Sequence, residues 1–165
     1  MHPRILHDMS VDNLGEREDR WSAAMSLDYA PVEVRATAGK IRPGSNYLAR
    51  QDLEDFRLLE LASTTCSAQR PRNLRRNDAA DHVALIFVGQ GHETITVGGK
   101  RARLSTGDAA VWDPTLDTLF EVHGSVLKYN LLVPRSALRT VGASSTPTSG
   151  ILPRTPTTRL LVVLC

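Results

Sequence analysis

Between Asp81 and Pro134 the chain alternates short apolar runs with turn residues. His82 to Val88 is apolar and rich in β-formers, and Gly89, Gln90 and Gly91 punctuate it. His92 to Val97 alternates polar and β-branched residues, the pattern of a half-buried strand. Gly98 and Gly99 predict a two-residue hairpin, because such turns favour positive φ at both central positions. Lys100–Leu104, Ala109–Asp113, Leu119–Val122 and Val126–Val133 follow as short strands, parted by Gly107 and Asp108, Pro114 and Gly124. Pro134 ends the run, since proline cannot donate to a ladder. Strands this short and this evenly spaced predict a mainly β chain, a sandwich or small barrel with its core between the sheets.

Upstream, residues 1–12 read as a loose lead-in. Leu14, Arg17, Glu18 and Trp21–Leu27 fit one or two helical turns with an apolar side, and Ser10, Asp12 and Asn13 are candidate N-caps. Pro31 stops that helix, and Trp21 docks it on the sheet. Pro31–Thr37 alternates as a strand does, and Gly39–Ser45 turns. Tyr47–Asp55 fits no single pattern. Phe56–Ser63 is short and bounded by turn residues, which predicts a strand running on into Thr64 and Thr65. Ala68–Asp81 is a polar connector carrying Arg70, Arg72, Arg75 and Arg76, either an anion contact or a solvated edge. Pro134–Arg139 reads as one helical turn with proline at its first position. Gly142–Gly150 is rich in Ser, Thr and Pro, a linker composition. Arg159–Cys165 is apolar, begins like a helix and stops in mid-pattern. That uncapped end implies a chain that continues or finishes against a partner.

Composition narrows the class. A length of 165 residues suits one domain, and 41% hydrophobic residues supply a real core. The net charge of +2 neither demands nor excludes a nucleic-acid partner. Cys66 and Cys165 make no disulfide framework, so a reducing compartment is expected. No apolar run has the length of a membrane span, and the N-terminus lacks a signal-peptide core. These features predict a cytoplasmic protein without membrane contact.

The catalytic signatures are missing. The sequence holds no G-x-G-x-x-G, Walker A, Cys-x-x-Cys or G-x-S-x-G pattern. His82, His92 and His123 stand alone on three predicted strands; with Glu93 or Glu121 they would form a metal site only by converging in space. Asp108 and Asp113 sit in turns, where local hydrogen bonding accounts for them.

The order of these pieces resembles the N-terminal ligand-binding and dimerisation domain of AraC/XylS-family transcription regulators, of the branch with a helix before the barrel. The resemblance rests on the Trp21 helix, Phe56–Ala62 with its arginine-bearing connector, and Asp81–Val88 followed by Gly91. It continues through Val97–Leu104, Leu104–Asp108 (where the family has Leu-x-Pro-Gly-Asp, with Thr106 here replacing proline), Ala110–Asp113 and Leu131–Arg135. It implies a cupin-like jelly-roll barrel with an N-terminal helix and a C-terminal helical segment. The implied organisation is a lead-in at 1–12, a sensory domain at 13–141 and a linker with the start of an interdomain helix at 142–165. The helix-turn-helix domain would lie outside this chain. Gly107–Trp112 carries none of the histidines of enzymatic cupins, which speaks against a dioxygenase or isomerase.

The resemblance therefore implies a non-enzymatic effector sensor without cofactor or metal. Its expected partners are a small organic effector and a second copy of the chain, with DNA contacted only through the absent domain. Phe87, Trp112 and Tyr129 are the candidate inward aromatics, with His92 or Arg70 as polar anchor; the alternative for each aromatic is plain barrel core. Leu160, Leu161, Val163 and Leu164 are the candidate dimerisation residues. Two other readings stand beside this one: a small metal-dependent cupin enzyme, and a ligand-free dimerisation module with a filled barrel.

Overall fold

Three long strands carry the architecture: β4 (Phe56–Arg70), β5 (His82–Val97) and β8 (Thr118–Pro134). The structure, a computed structural model, describes residues 4–71, 73–74, 81–142 and 149–152. Around the long strands stand β1 (Ile5–Asp8), β2 (Glu33–Ala36), β3 (Tyr47–Leu53), β6 (Lys100–Ser105), β7 (Ala109–Trp112) and β9 (Gly150–Ile151). The antiparallel order is β1-β3-β4-β8-β5-β7-β9, with β2 also on β4 and β6 also on β5. β8 lies between β4 and β5 along almost its whole length. The N-terminal half of β4 pairs with β3 and its C-terminal end with β2. β5 likewise pairs first with β7 and then with β6. The same three strands thus serve two sheets, and the core lies between them. The fold is mainly β and cupin-like, as expected.

Several elements differ from the sequence reading. The lead-in contains β1, which pairs antiparallel with Tyr47–Arg50; four residues are too few to show a period. The unassigned Tyr47–Asp55 stretch supplies β3. The runs taken as separate strands on either side of Gly89–Gly91 are one strand, as are those flanking Gly124. Glycine at Gly91 marks a bulge rather than a chain reversal. The helix α1 spans Leu14–Asp28, longer than one or two turns, with Asn13 as N-cap accepting from the Glu16 N–H. It ends before Pro31, at Tyr29, whose N–H returns to the Met25 carbonyl. α2 is the predicted turn after Pro134, Arg135–Thr140. The apolar segment around Leu160, Leu161, Val163 and Leu164 lies outside the described residues, as do Arg72, Arg75 and Arg76.

The bulges decide which side chains face inward. On β5, Ala84, Ile86 and Val88 belong to the core; beyond the irregularities at Val88/Gln90 and Gly91/Glu93, Glu93 and Ile95 take the inward positions, at 0% and 5% exposure. The inward set has changed from even to odd numbers. On β4 it passes from Leu59 and Leu61 to Cys66 and Ala68 across the Thr64/Cys66 shift. β8 keeps one parity, Phe120 and Val122 followed by Val126 and Leu132. Backbone groups freed at the bulges find partners elsewhere. The Asn46 carboxamide oxygen accepts from the Thr64 N–H at 2.7 Å. The β6–β7 turn serves β5: Gly107 N–H reaches the Val88 carbonyl at 2.8 Å, and Thr106 N–H reaches Gly91 at 3.1 Å. The Leu104–Asp108 motif is therefore a clasp for the bulge as well as a turn.

Gly91 has φ +80°, and a Cβ there would lie 2.1 Å from the Ser125 carbonyl oxygen. Gly98, with φ +54°, has open space around the same position. Gly98→Ala should cost only left-handed strain, about 1–2 kcal/mol. Gly91→Ala should cost clearly more in urea unfolding, and equal costs would show that the bulge tolerates a side chain.

Candidate functional site

The interior holds one feature that a plain apolar core would not. Lys128 of β8 and Glu93 of β5 meet inside the barrel, Nζ to Oε2 at 2.6 Å, with side chains 6% and 0% exposed. The Lys128 ammonium also sits 4.6 Å from the centroid of the Phe120 ring, where the π-face attracts a cation. Glu93 Oε1 has no hydrogen-bond partner, and neither does Asn130 Nδ2. Both residues are among those around a cavity of about 40 Å³, with Ser63 and Cys66, and its surface is almost wholly apolar. The Ser63 hydroxyl and Cys66 Sγ lie 3.1 Å apart. Burial pushes the Cys66 thiol up from its ordinary value, against the lowering influence of Ser63 and Lys128.

Helix α1 forms the cover. Trp21, Met25 and Tyr29 close the cavity from that side. Tyr29 packs edge-to-face on Trp112 at 5.1 Å, and Trp112 packs the same way on Phe120 at 5.1 Å. The Tyr29 hydroxyl donates to Asn130 Oδ1 at 3.0 Å. Burial, with a contribution from Glu93, holds that phenol well above its usual range. The Trp112 indole N–H donates to Thr118 at 2.9 Å.

Both ends of α1 are clamped by polar groups. Near the start, the buried Arg17 guanidinium donates to the carbonyls of Val11, Thr37 and Gly39 at 2.8, 2.9 and 2.8 Å. Glu18 accepts the Ala36 N–H at 2.9 Å. At the end, the buried Asp28 carboxylate takes Arg50 at 2.7 Å and meets His7 at 2.6 Å. Arg57 donates to the Asp28 carbonyl at 2.8 Å. An acidic residue in a last helical turn is unfavourable against the helix dipole, and the Arg50 and Arg57 guanidiniums offset it.

The predicted site residues divide. Trp112 faces the interior beside Tyr29. Phe87 follows the inward Ile86 and so stands on the opposite face of β5, where it pairs with Tyr129. Tyr129 lies over Gly89, whose added Cβ would meet its ring at 3.0 Å. His92 precedes Glu93 and takes the opposite face; the bulge has exchanged the two. Arg70 is fully buried, but it donates to the Pro114 and Pro31 carbonyls at 2.7 Å each and does not line the cavity. His82 pairs with Pro134 at one end of β5, His92 with Ser105, and His123 is exposed. Among the described residues no group of three His, Cys, Asp or Glu side chains is placed to hold a metal ion.

Lys128, Tyr29 and Asn130 were not singled out from the sequence, and Glu93 was named only as a possible metal ligand. A lysine at the centre of Val126–Val133, where every second neighbour is apolar, was the available signal.

A mainly antiparallel β fold covered by a helix on one side is the shape of a cupin-like domain. The AraC-binding-like domain family matches residues 21–164, and the chain belongs to that family. Among solved structures, the AraC-like transcriptional activator CuxR is similar with TM-score 0.68 and 15% identity over 85% of this chain and 50% of that one. The chain thus spans about half the length of that activator. The cupin domain of an XRE family transcriptional regulator from Enterobacter cloacae is similar with TM-score 0.40, 10% identity, 47% of this chain and 80% of that one. Ectoine synthase from P. lautus gives TM-score 0.43, 17% identity, 57% of this chain and 67% of that one. No curated protein matches the sequence.

Removing one member of a buried ion pair leaves the other charge uncompensated. Lys128→Met should therefore lose about 3–5 kcal/mol in urea unfolding. The double variant Glu93→Leu/Lys128→Met should recover most of that loss. A Lys128→Met protein as stable as the parent would show that the two charges are hydrated.

Proposed function

We propose that this chain is the effector-sensing and dimerisation part of an AraC-type transcription regulator. It binds a small organic molecule inside the barrel and signals to a DNA-binding domain. Membership of the AraC-binding-like family supports a regulator's sensing role over an enzymatic one. The observation that carries the binding reading is the cavity beneath α1, with an almost wholly apolar surface and with the buried, incompletely paired Glu93 among the residues around it. Buried polar atoms in settled cores are satisfied, so an unpaired one beside a cavity supports a second arrangement of this interior. A coupled DNA-binding partner domain implies a cytoplasmic protein, and the apolar Leu160–Leu164 segment is the proposed dimer contact. Among the described residues no helix is long and apolar enough to cross a membrane.

A cavity of about 40 Å³ favours a second reading, a filled dimerisation module. Organic ligands commonly occupy roughly 300–1,000 Å³. On the sensing account α1 shifts to admit them, and its polar clamps give it two arrangements for a ligand to choose between.

A thermal-shift screen of small organic molecules separates these readings. A ligand that binds only the folded barrel raises Tm by mass action. The response should vanish in Ser63→Leu, which fills the cavity, while that variant keeps its fold. A response that survives in Ser63→Leu puts the ligand elsewhere and overturns the reading.

A further inference from the structure

β1 stands at one end of the sheet order, and among the described residues no strand lies beyond it. Its outer edge therefore offers backbone N–H and C=O groups that a further strand can take up. One bond fixes which residues present them. Met9 N–H reaches the Asn46 carbonyl at 2.9 Å, continuing the register that sets Ile5 opposite Arg50 and His7 opposite Leu48. Hydrogen-bonded pairs alternate along an antiparallel ladder. Ile5 and His7 thus turn their backbone groups to β3, whereas Arg4, Leu6 and Asp8 turn theirs to the open edge. Side chains alternate as well. Arg4, Leu6 and Asp8 share one face, where Arg4 meets Glu60. Ile5 and His7 share the other, where His7 meets Asp28 of α1.

This edge is apolar at its centre and oppositely charged on either side. Leu6 is 62% exposed, with Arg4 two residues before it and Asp8 two residues after. Such an order is complementary to itself once reversed. In a new antiparallel ladder hydrogen-bonded pairs form between outward-facing residues, which confines the register to Arg4, Leu6 and Asp8. The register centred on Leu6 sets Leu6 against its own counterpart and Arg4 against Asp8 of the second copy at both ends. A slip of two residues either way sets Leu6 against a charge. The centred register also brings Ile5 of the second copy opposite His7, beside an open groove of about 360 Å³ lined in part by His7, Ala23, Ala24 and Leu27. Ile5 and Leu27 are both exposed apolar residues in the single chain.

We propose that β1 is a self-complementary interface, at which two copies of this chain pair edge to edge about a two-fold axis through Leu6. It goes beyond the sensing reading and uses a different stretch of chain from Leu160–Leu164. The pairing extends one sheet across both copies, in the order β3-β1-β1-β3.

A residue on the two-fold axis meets itself, so a single introduced cysteine reads the register. Leu6→Cys, with Cys66 and Cys165 replaced by serine, sets two Cα atoms about 5.5 Å apart, within disulfide reach. Ile5→Cys in the same background sets them on a diagonal of about 7–8 Å, past that reach. Under mild oxidation Leu6→Cys should form the disulfide dimer at least about tenfold faster than Ile5→Cys. A second variant leaves both native cysteines in place. Leu6→Lys changes an exposed side chain, so it should keep its Tm. It should weaken self-association in sedimentation equilibrium at least about tenfold, because two ammonium groups then meet on the axis. Equal oxidation rates, association unchanged by Leu6→Lys, or a parent chain still monomeric at about 1 mM each overturns the interface. None of these outcomes touches the sensing reading, which the ligand screen tests separately.

Discussion

A β-strand offers its side chains to alternate faces, so a single irregular residue decides everything beyond it. In this chain the decisive place is the bulge between Val88 and Glu93. Before it, β5 sends Ala84, Ile86 and Val88 inward; after it, Glu93 and Ile95. Without that change of parity, His92 would face the core and Glu93 would face away. Lys128 would then be a buried cation with no counter-charge. Gly91 permits the bulge because its backbone approaches Ser125 more closely than any side chain allows. The Leu104–Asp108 turn holds it by taking up the unpaired backbone groups. The ion pair and its place beside the cavity under α1 depend on this one local departure from regular pairing.

Energetically the pair is hard to explain as a structural device. Apolar residues of similar volume usually serve a core as well or better than two buried charges. Glu93 is further left with one oxygen unsatisfied, which costs the full desolvation of that acceptor. Phe120 is the single ring against the ammonium among the described residues. A pair that carries such a cost supports the proposed binding reading over a purely structural role. α1 lays Trp21 and Met25 on the cavity but is fastened by polar contacts at its ends, through Arg17 to carbonyls and through Asp28 to Arg50 and His7.

The sequence made the strands legible wherever turn residues bounded alternating runs, and the Gly98–Gly99 hairpin is as its positive φ requirement predicts. It also placed Trp112 correctly within a strand whose partner register has no irregularity. What misled was glycine at Gly89 and Gly91. Read as punctuation, these residues divided one strand into two and concealed the parity change, so that His92 was expected on the inward face that Glu93 takes. Phe87 and Tyr129 read as inward aromatics because hydrophobicity does not say which face of a doubly covered strand a residue takes. Arg17 and Asp28 were invisible for the opposite reason: a charged residue on a helix is read as solvent-facing, and only tertiary structure shows the carbonyls and cations that bury it. The resemblance to regulator sensing domains carried the fold; it did not carry the site.

The central claim is that α1 covers the cavity beside the Glu93–Lys128 pair. Cys66 reports on it directly, because it lines that cavity beside Ser63. In a Cys165→Ser background, the rate at which Cys66 is alkylated by iodoacetamide measures how often the cavity opens. The account predicts alkylation at least about a hundredfold slower than in the denatured chain, since reaction must wait for local opening. It also predicts a marked acceleration when Arg50→Gln loosens the helix end, beyond what the variant's loss of global stability in urea unfolding accounts for. Alkylation at the rate of a free thiol, or a rate indifferent to Arg50→Gln, would contradict it.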